Sequence, residues 1–347
     1  MSGPPGPIGP SGINGRNVTC DCPTEGSCPA GGYSPVVTGT TTEPDYYAGL
    51  PPSLGNYELQ GCFIECVENY TGQTLRPPST EVPIAEGVIA DCVIDHFGTP
   101  NFHGHALTFY GTWMRDAAPA NYTESEKRYV MNHFYGSVLT EYRNEADLRK
   151  NKPSKVYRLP HVYDGTNHVI HNNSLFYHRA GTPKVARLDL NKDKDNYVEM
   201  EIPNAAHKFD AYLYNHSYQY LDLSVDENAL WVAYHYWDQP YLVVSRLDLK
   251  NLTIYDTWNF TQIDHKSVAN SVVVCGVLYL IESSTMVHST IRFAYDMYRD
   301  REVLVFHSWV NLYRNSNMIA YNPFDKRIYV FDHGYMLTIP VQLRIRS

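Results

Sequence analysis

From about Glu86 onward, hydrophobic positions come in short aromatic and β-branched runs that turn residues separate. No stretch shows a sustained helical periodicity, and runs of this type predict short β-strands. A triplet of leucine or isoleucine, an aromatic residue and a further hydrophobic residue recurs, centred on Phe176, Trp231, Tyr279 and Tyr329. These centres lie 55, 48 and 50 residues apart, which indicates a repeating unit of roughly 50 residues.

A repeat of this length that contains several short strands is typical of a β-propeller blade. Residues 92–347 hold about five such units, so we predict an all-β fold, a five-bladed β-propeller. The 29 tyrosines fit this architecture, because their rings can pack between blades while their hydroxyl groups reach loops or solvent.

The first 87 residues have a different composition. Glycine stands at every third position from Gly3 to Gly15 among several prolines, which is collagen spacing, although a flexible tail could match it by chance. We therefore predict a collagen-like segment at 1–19, the end of a longer stalk. Residues 20–87 are rich in Pro, Thr and Ser and predict a disordered linker. Its cysteines could pair within or between chains, and their pairing stays open: Cys20, Cys22, Cys28, Cys62 and Cys66.

The net charge and the sorting signals bear on the partners and the location of the protein. The 28 basic and 37 acidic residues give a net charge of −9, which argues against nucleic acid as a partner. Neither a membrane-spanning run nor an amino-terminal signal peptide is evident. Seven glycosylation sequons and the crowded cysteines nevertheless place the protein outside the cell, secreted, shed, or anchored by an upstream type II segment that is not in this chain. The sequons begin at Asn17, Asn69, Asn121, Asn172, Asn215, Asn251 and Asn259.

Signatures of catalysis are scarce, and we predict no enzyme. The chain lacks a Gly-x-Ser-x-Gly elbow, a His-Glu-x-x-His pair and a phosphate-binding loop. His103 and His105 could share one metal on a strand face, but isolated histidines are far commoner. The segment Trp113–Pro119 distantly resembles a motif of invertase-type glycosidases, with Asp116 as nucleophile. A structural role for Asp116 is the favoured interpretation, and a glycoside hydrolase is the alternative.

Six ordered motifs over 88–347 instead resemble the olfactomedin domain. They occupy residues 110–116, 155–160, 221–231, 266–271, 293–296 and 321–323. A collagen-like stretch in front of such a domain resembles the colmedins, the gliomedin-type proteins. The resemblance implies a five-bladed propeller without catalytic activity, displayed outside the cell on a stalk that forms a trimer with itself. Its expected partners are cell-surface receptors or extracellular matrix proteins, at neural or other cell contacts.

The resemblance also implies particular residue roles. The family joins the pair of cysteines that corresponds to Cys92 and Cys275. Its calcium ligands map onto the side chains of Asp222 and Asn270, the main-chain carbonyls of Ser271 and Ile319, and a second aspartate where this chain has Ala320. Calcium affinity depends on the number of charged ligands, so calcium is a doubtful cofactor here and the site is expected to be weakened or absent. Asp332 is a candidate replacement from a neighbouring strand.

Overall fold

The described residues of this computed structural model, 90–192 and 196–346, are mostly β-structure. Twenty-one strands, two short α-helices and one 3₁₀ turn make up the regular structure of this part of the chain. The predicted collagen-like segment 1–19 and linker 20–87 lie outside the described residues. Among the helices that are described, none is long and apolar enough to cross a membrane.

Four-stranded antiparallel meanders follow one another along the chain and are numbered here as blades. Blade 1 contains β3 (Gly111–Met114), β4 (Arg128–Asn132), β5 (Tyr135–Tyr142) and β6 (Lys155–Asp164). Blade 2 contains β7 (Val169–His171), β8 (Ser174–Arg179), β9 (Lys184–Asp189) and β10 (Tyr197–Glu201). A single pairing of Tyr163 with Arg179 connects these two blades into one sheet.

The next two blades are separate four-stranded sheets. Blade 3 contains β11 (Asp222–Val225), β12 (Leu230–Tyr234), β13 (Tyr241–Leu247) and β14 (Ile254–Asp264). Blade 4 contains β15 (Asn270–Val274), β16 (Val277–Ile281), β17 (His288–Asp296) and β18 (Arg301–Val310). The 3₁₀ turn His265–Ser267 connects them.

Blade 5 is assembled from both ends of the domain. It contains β19 (Ser316–Asn322), β20 (Arg327–Asp332) and β21 (Tyr335–Ile345), and its outer edge is formed by β1 (Cys92–Phe97) and β2 (Asn101–His105). Cys92 pairs with Ile345, and Asn101 with Thr338, in antiparallel register. This pairing closes the ring, and the number of blades agrees with the five predicted from the sequence repeat.

The repeated aromatic triplets are the second strands of blades 2 to 5. Phe176, Trp231, Tyr279 and Tyr329 lie in β8, β12, β16 and β20, and all four are buried. Alternate side chains of a strand point to opposite faces, so neighbouring residues pack against different blades. Trp231 belongs to the hydrophobic cluster between blades 3 and 4, whereas Val232 belongs to the cluster between blades 2 and 3. The core therefore lies between the blades.

Two short helices interrupt blade 1. Helix α1 (Tyr122–Glu126) lies between β3 and β4, and α2 (Glu145–Arg149) lies between β5 and β6. Each begins after an asparagine whose side-chain oxygen accepts a hydrogen bond from the third residue on: Asn121 from the Glu124 amide at 3.0 Å, and Asn144 from the Asp147 amide at 2.9 Å. Such N-caps satisfy amides that a helix start leaves without partners.

Alternation of strand direction sorts the connections onto two faces. We call one the terminal face, because β1 begins and β21 ends there; it carries the turns between first and second and between third and fourth strands. The other is the distal face, which carries the connections 106–110, 133–134, 165–168, 180–183, 202–221, 235–240, 265–269, 282–287, 311–315 and 333–334. The innermost strands β3, β7, β11, β15 and β19 surround the centre.

Candidate functional site

A buried polar cluster lies at the centre of the propeller, beneath the distal face. Asp222 begins β11 and Asn270 begins β15, so both side chains lie at the distal ends of inner strands. The side chain of Asn167, in the connection to β7, reaches between them. Its Nδ2 lies 2.5 Å from Asp222 Oδ1, 3.2 Å from Asn270 Oδ1 and 3.3 Å from the Ile319 carbonyl oxygen. Four blades thus meet at one amide group.

The second carboxylate oxygen of Asp222 is bound by hydroxyl groups. Tyr214 donates to Asp222 Oδ2 at 2.6 Å, and Ser271 Oγ donates to the same atom at 3.1 Å. Burial raises the pKa of Asp222 to about 6, while hydrogen bonds from Tyr214, Asn167 and Ser271 act in the opposite direction. The cluster therefore holds one buried carboxylate that neutral donors surround.

The residues assigned to calcium by resemblance are thus only partly gathered. Asp222, the Asn270 side chain and the Ile319 carbonyl converge, but the Asn167 nitrogen lies among their oxygens. Asp332 is engaged elsewhere, because its carboxylate accepts hydrogen bonds from the amides of Tyr313 at 2.7 Å and Asn315 at 2.8 Å. Over residues 90–192 and 196–346, no three His, Cys, Asp or Glu side chains form a group suited to a metal ion.

Asp116 has a structural environment. It is fully buried, and its Oδ1 accepts hydrogen bonds from the amides of Ala118 at 2.9 Å and Asn172 at 2.8 Å, while Oδ2 accepts from Asn173 at 2.7 Å. The carboxylate therefore fixes the turn between β7 and β8 to blade 1. A glycosidase nucleophile must face a substrate, and both oxygens of Asp116 face backbone amides.

The two histidines of β2 do not form a metal pair. His103 Nδ1 lies 3.0 Å from Glu145 Oε1, and its Nε2 lies 2.8 Å from Thr338 Oγ1. The ring of His105 instead packs edge-on against Tyr335, with 4.5 Å between ring centroids. A bulge in the pairing of β2 with β21 separates their environments.

Aromatic side chains from several distal connections contact one another and form an aromatic surface on the distal face. The Phe134 ring stacks on Tyr218 at 4.1 Å between centroids, and Tyr110 packs edge-on against Tyr218 at 5.0 Å. Phe109 stacks on His333 at 4.4 Å. Exposed apolar side chains accompany these rings in the distal connections: Leu107, Phe109, Phe209, Trp237, Met286, Leu312 and Tyr313. This surface was not predicted from the sequence, although the tyrosines and histidines of 202–221 were a visible signal.

Charge is sparse on this same face. Its connections carry three basic residues, Lys208, Lys266 and Arg314, and three acidic ones, Asp210, Asp238 and Glu282. The terminal face is different, with ion pairs such as Arg299–Asp91 at 2.5 Å and Lys326–Glu227 at 2.6 Å. Ion pairs therefore contribute to the terminal face, whereas the distal connections carry few charged residues.

Comparison with protein families matches residues 88–346 to the olfactomedin-like domain. The chain belongs to the olfactomedin family. Myocilin of Rattus norvegicus is 34% identical over 238 residues, which cover 67% of this chain and 47% of that protein. Myocilin of Canis lupus familiaris is 33% identical over 298 residues, covering 80% and 61% respectively. The chain thus spans about half the length of these relatives. Among solved structures, glutaminyl cyclase of Myxococcus xanthus has a TM-score of 0.41 at 10% identity, covering 74% of this chain and 97% of that one.

The disulfide of this olfactomedin domain is the one predicted. Cys92 and Cys275 are bonded, with 5.4 Å between their Cα atoms and 183 residues between them in sequence. Both are buried. The bond attaches the first strand of the domain to the β15–β16 turn of blade 4, at the terminal face.

The five sequons that the structure describes all have exposed asparagines: Asn121, Asn172, Asn215, Asn251 and Asn259. Asn17 and Asn69 lie outside the described residues. Asn121, Asn172 and Asn251 belong to connections of the terminal face, and Asn215 alone among the five belongs to a distal connection. Asn121 caps α1 through Oδ1, so the cap does not use Nδ2, the atom that carries a glycan. Glycosylation itself stays a prediction.

We expect Asp116→Asn to destabilise the olfactomedin domain by about 1–3 kcal/mol, because an amide nitrogen would replace an oxygen that accepts backbone hydrogen bonds. Urea unfolding of the folded protein measures this loss. Hydrolysis of an aryl glycoside by the wild type that the same substitution abolishes would instead support the glycosidase alternative.

Proposed function

We propose that this olfactomedin domain is a non-enzymatic extracellular binding module that engages a cell-surface receptor or a matrix protein, at neural or other cell contacts. The observation that carries this proposal is the distal face, an apolar aromatic surface with few charges. Clustered exposed apolar side chains are unusual on a solvated surface and mark sites of association. Membership of the olfactomedin family supports the same class of function.

Several apolar side chains of the distal face are largely exposed to solvent. Leu107 is 99% exposed, Phe209 82% and Met286 65%. Other rings of the same face stack on one another, as Phe134 does on Tyr218. A rigid aromatic surface loses little side-chain entropy on association, which favours binding. The equal numbers of acidic and basic residues favour a partner whose contacting surface is itself apolar and weakly charged.

The arrangement of the termini supports the distal face over the terminal one. The chain enters the domain at the terminal face, since β1 begins there, and three of the five described sequons lie in connections of that face. Glycans attached there would hinder a protein partner. Among the five described sequons, only Asn215 belongs to a distal connection.

Substitution of exposed apolar residues tests the proposal. The double variant Leu107→Glu, Phe209→Glu should weaken binding to receptor-bearing cells about tenfold or more, because it places charge in an apolar interface. Both side chains are largely exposed, so the thermal unfolding midpoint should stay at the wild-type value.

Ile345→Glu is the matched control, because this residue is 81% exposed and lies at the terminal end of β21. It should bind as the wild type does. If the control loses binding while the distal variant keeps it, the binding face is wrong. If neither the wild type nor any variant binds cells or matrix, the domain is a spacer and the proposed function fails.

Location and assembly belong to the same proposal. The disulfide and the family favour a secreted protein. We propose that the collagen-like segment 1–19 assembles three chains, with Cys20 and Cys22 as candidate cross-links, so that three distal faces are displayed together. Three linked faces would raise the apparent affinity for a clustered partner above that of one.

A further inference from the structure

Asn167 occupies the point at which the oxygens of the central cluster converge. Its acceptors are Asp222 Oδ1 in blade 3, Asn270 Oδ1 in blade 4 and the Ile319 carbonyl in blade 5, at 2.5, 3.2 and 3.3 Å from Nδ2. All of these side chains are nearly completely buried. The group that connects the inner strands is therefore a neutral amide supplied by the chain itself.

The orientation of this amide follows from its neighbours. A carboxylate oxygen and a carbonyl oxygen can only accept hydrogen bonds, so the nitrogen of Asn167 must face Asp222 and Ile319. On its other side, Asn167 Oδ1 accepts from the backbone amide of Ile319 at 3.3 Å. The reversed amide would place oxygen against two acceptors and the NH₂ group against a donor, so the network admits only one arrangement.

This arrangement does not fit the calcium ion that the family implies. Calcium takes 6 to 8 oxygen ligands at about 2.3–2.6 Å, whereas here a nitrogen with its hydrogens directed at the oxygens lies among them. The second carboxylate of the family's set is also missing, because that position is Ala320. The remaining carboxylate, Asp222, is already bound by Asn167, Tyr214 and Ser271.

We propose that the Asn167 amide replaces the calcium ion as the cross-link at the centre of this propeller. Two features act together: Ala320 leaves the site without the charge of a second carboxylate that would attract a cation, and Asn167 supplies the hydrogen-bond donors that the remaining oxygens need. The stability of the domain is then independent of calcium, and removal of Asn167 leaves buried acceptors without a partner. If the second aspartate were lost without a donor such as Asn167, water would instead occupy the position of the cation.

An exchange of one atom tests the proposal in the full chain. Asn167→Asp keeps the shape of the side chain and replaces the nitrogen by oxygen, so that two carboxylates face each other among the Asn270 and Ile319 oxygens. In chelator the thermal midpoint should fall by roughly 5–10 °C, because like charges repel and the donors are lost. In millimolar calcium, much of this loss should be recovered. The wild-type midpoint should be the same in calcium and in chelator.

Asn317→Asp is the matched control. Asn317 is also buried, and its Nδ2 donates to the Phe109 carbonyl at 2.9 Å and the Asn315 carbonyl at 3.1 Å. The Asn317 side chain bonds to backbone groups of Gly111, Phe109 and Asn315 and not to a carboxylate, so the variant should lose stability in a way that calcium does not restore.

Calcium titration of the wild type by calorimetry keeps the test decisive if Asn167→Asp does not fold. Heat of binding with a submillimolar dissociation constant, or a wild-type midpoint that rises with calcium, overturns the proposal. A folded Asn167→Asp protein with the wild-type midpoint in chelator also overturns it. Absence of calcium binding in the wild type, together with recovery in calcium by Asn167→Asp alone, supports it. Cell binding through the distal face is a separate measurement, so the two proposals can fail independently.

Discussion

Replacement of both Cys92 and Cys275 by serine is expected to lower the free energy of unfolding by about 5 kcal/mol. In the loop-entropy model the stabilisation by a disulfide rises with the logarithm of the closed loop, and this bond closes 183 residues. The bond also attaches β1, which completes blade 5 by pairing with β21. Its loss therefore removes the covalent constraint on the strand that closes the ring.

Urea unfolding of the double variant against the oxidised wild type measures this effect. Substitution is preferable to a reducing agent, because reduction would also open any bonds among the other five cysteines. A change of less than about 1 kcal/mol would show that the hydrogen bonds of β1 hold the ring closed without the disulfide.

Acidification is expected to weaken the domain through two buried histidines. Burial lowers the pKa of His168 to about 3 and that of His178 to about 4 in the folded state, against about 6.5 in an unfolded chain. Both rings are therefore neutral in the fold, and the unfolded state binds protons first. Their contribution is fully present above pH 6.5 and is lost as the pH falls toward the folded values. Between pH 7.5 and pH 5 the loss is about 2 kcal/mol for each histidine.

Other buried groups titrate over the same range with the opposite sign. Burial raises the pKa of Asp164, Asp222 and Asp226 to about 6, so these residues add stability as the pH falls. The histidine contribution must therefore be isolated by a difference. We expect the variant His168→Leu, His178→Gln to lose about 4 kcal/mol less than the wild type between pH 7.5 and pH 5. Denaturant unfolding at both pH values measures this, and equal losses in the two proteins would contradict it.

The repeat was predictable because each aromatic triplet performs the same task in its blade. A buried second strand needs hydrophobic residues on both faces, and Leu230, Trp231 and Val232 supply them within one blade. The corresponding strand of blade 1 is β4, where Tyr129, Val130 and Met131 are buried in a different order. A pattern search for the triplet therefore misses this blade, although the total length still gives five.

The centre of the propeller was predictable only in part. The resemblance predicted Asp222 and Asn270 as residues of the central site. Asn167 was not predicted, because it lies in the connection between β6 and β7 and belongs to none of the six motifs. Its partners lie 55, 103 and 152 residues away, and only the closed ring brings them together. Asp116 is the converse case: its motif was visible in sequence, but its hydrogen bonds to Asn172 and Asn173 depend on the packing of blade 2 against blade 1.

Blade 5 also determines the order in which the molecule can form during synthesis. Of the strands of this domain, β1 is synthesised first and its partner β21 last. Blades 1 to 4 are therefore synthesised before blade 5 can be completed. Cys92 likewise waits for Cys275, and five other thiols precede it along the chain. Contacts between such distant segments form slowly. Until β21 has been synthesised, β1 lacks its strand partner, and until Cys275 has been synthesised, Cys92 lacks its disulfide partner, so both can pair wrongly in the nascent chain.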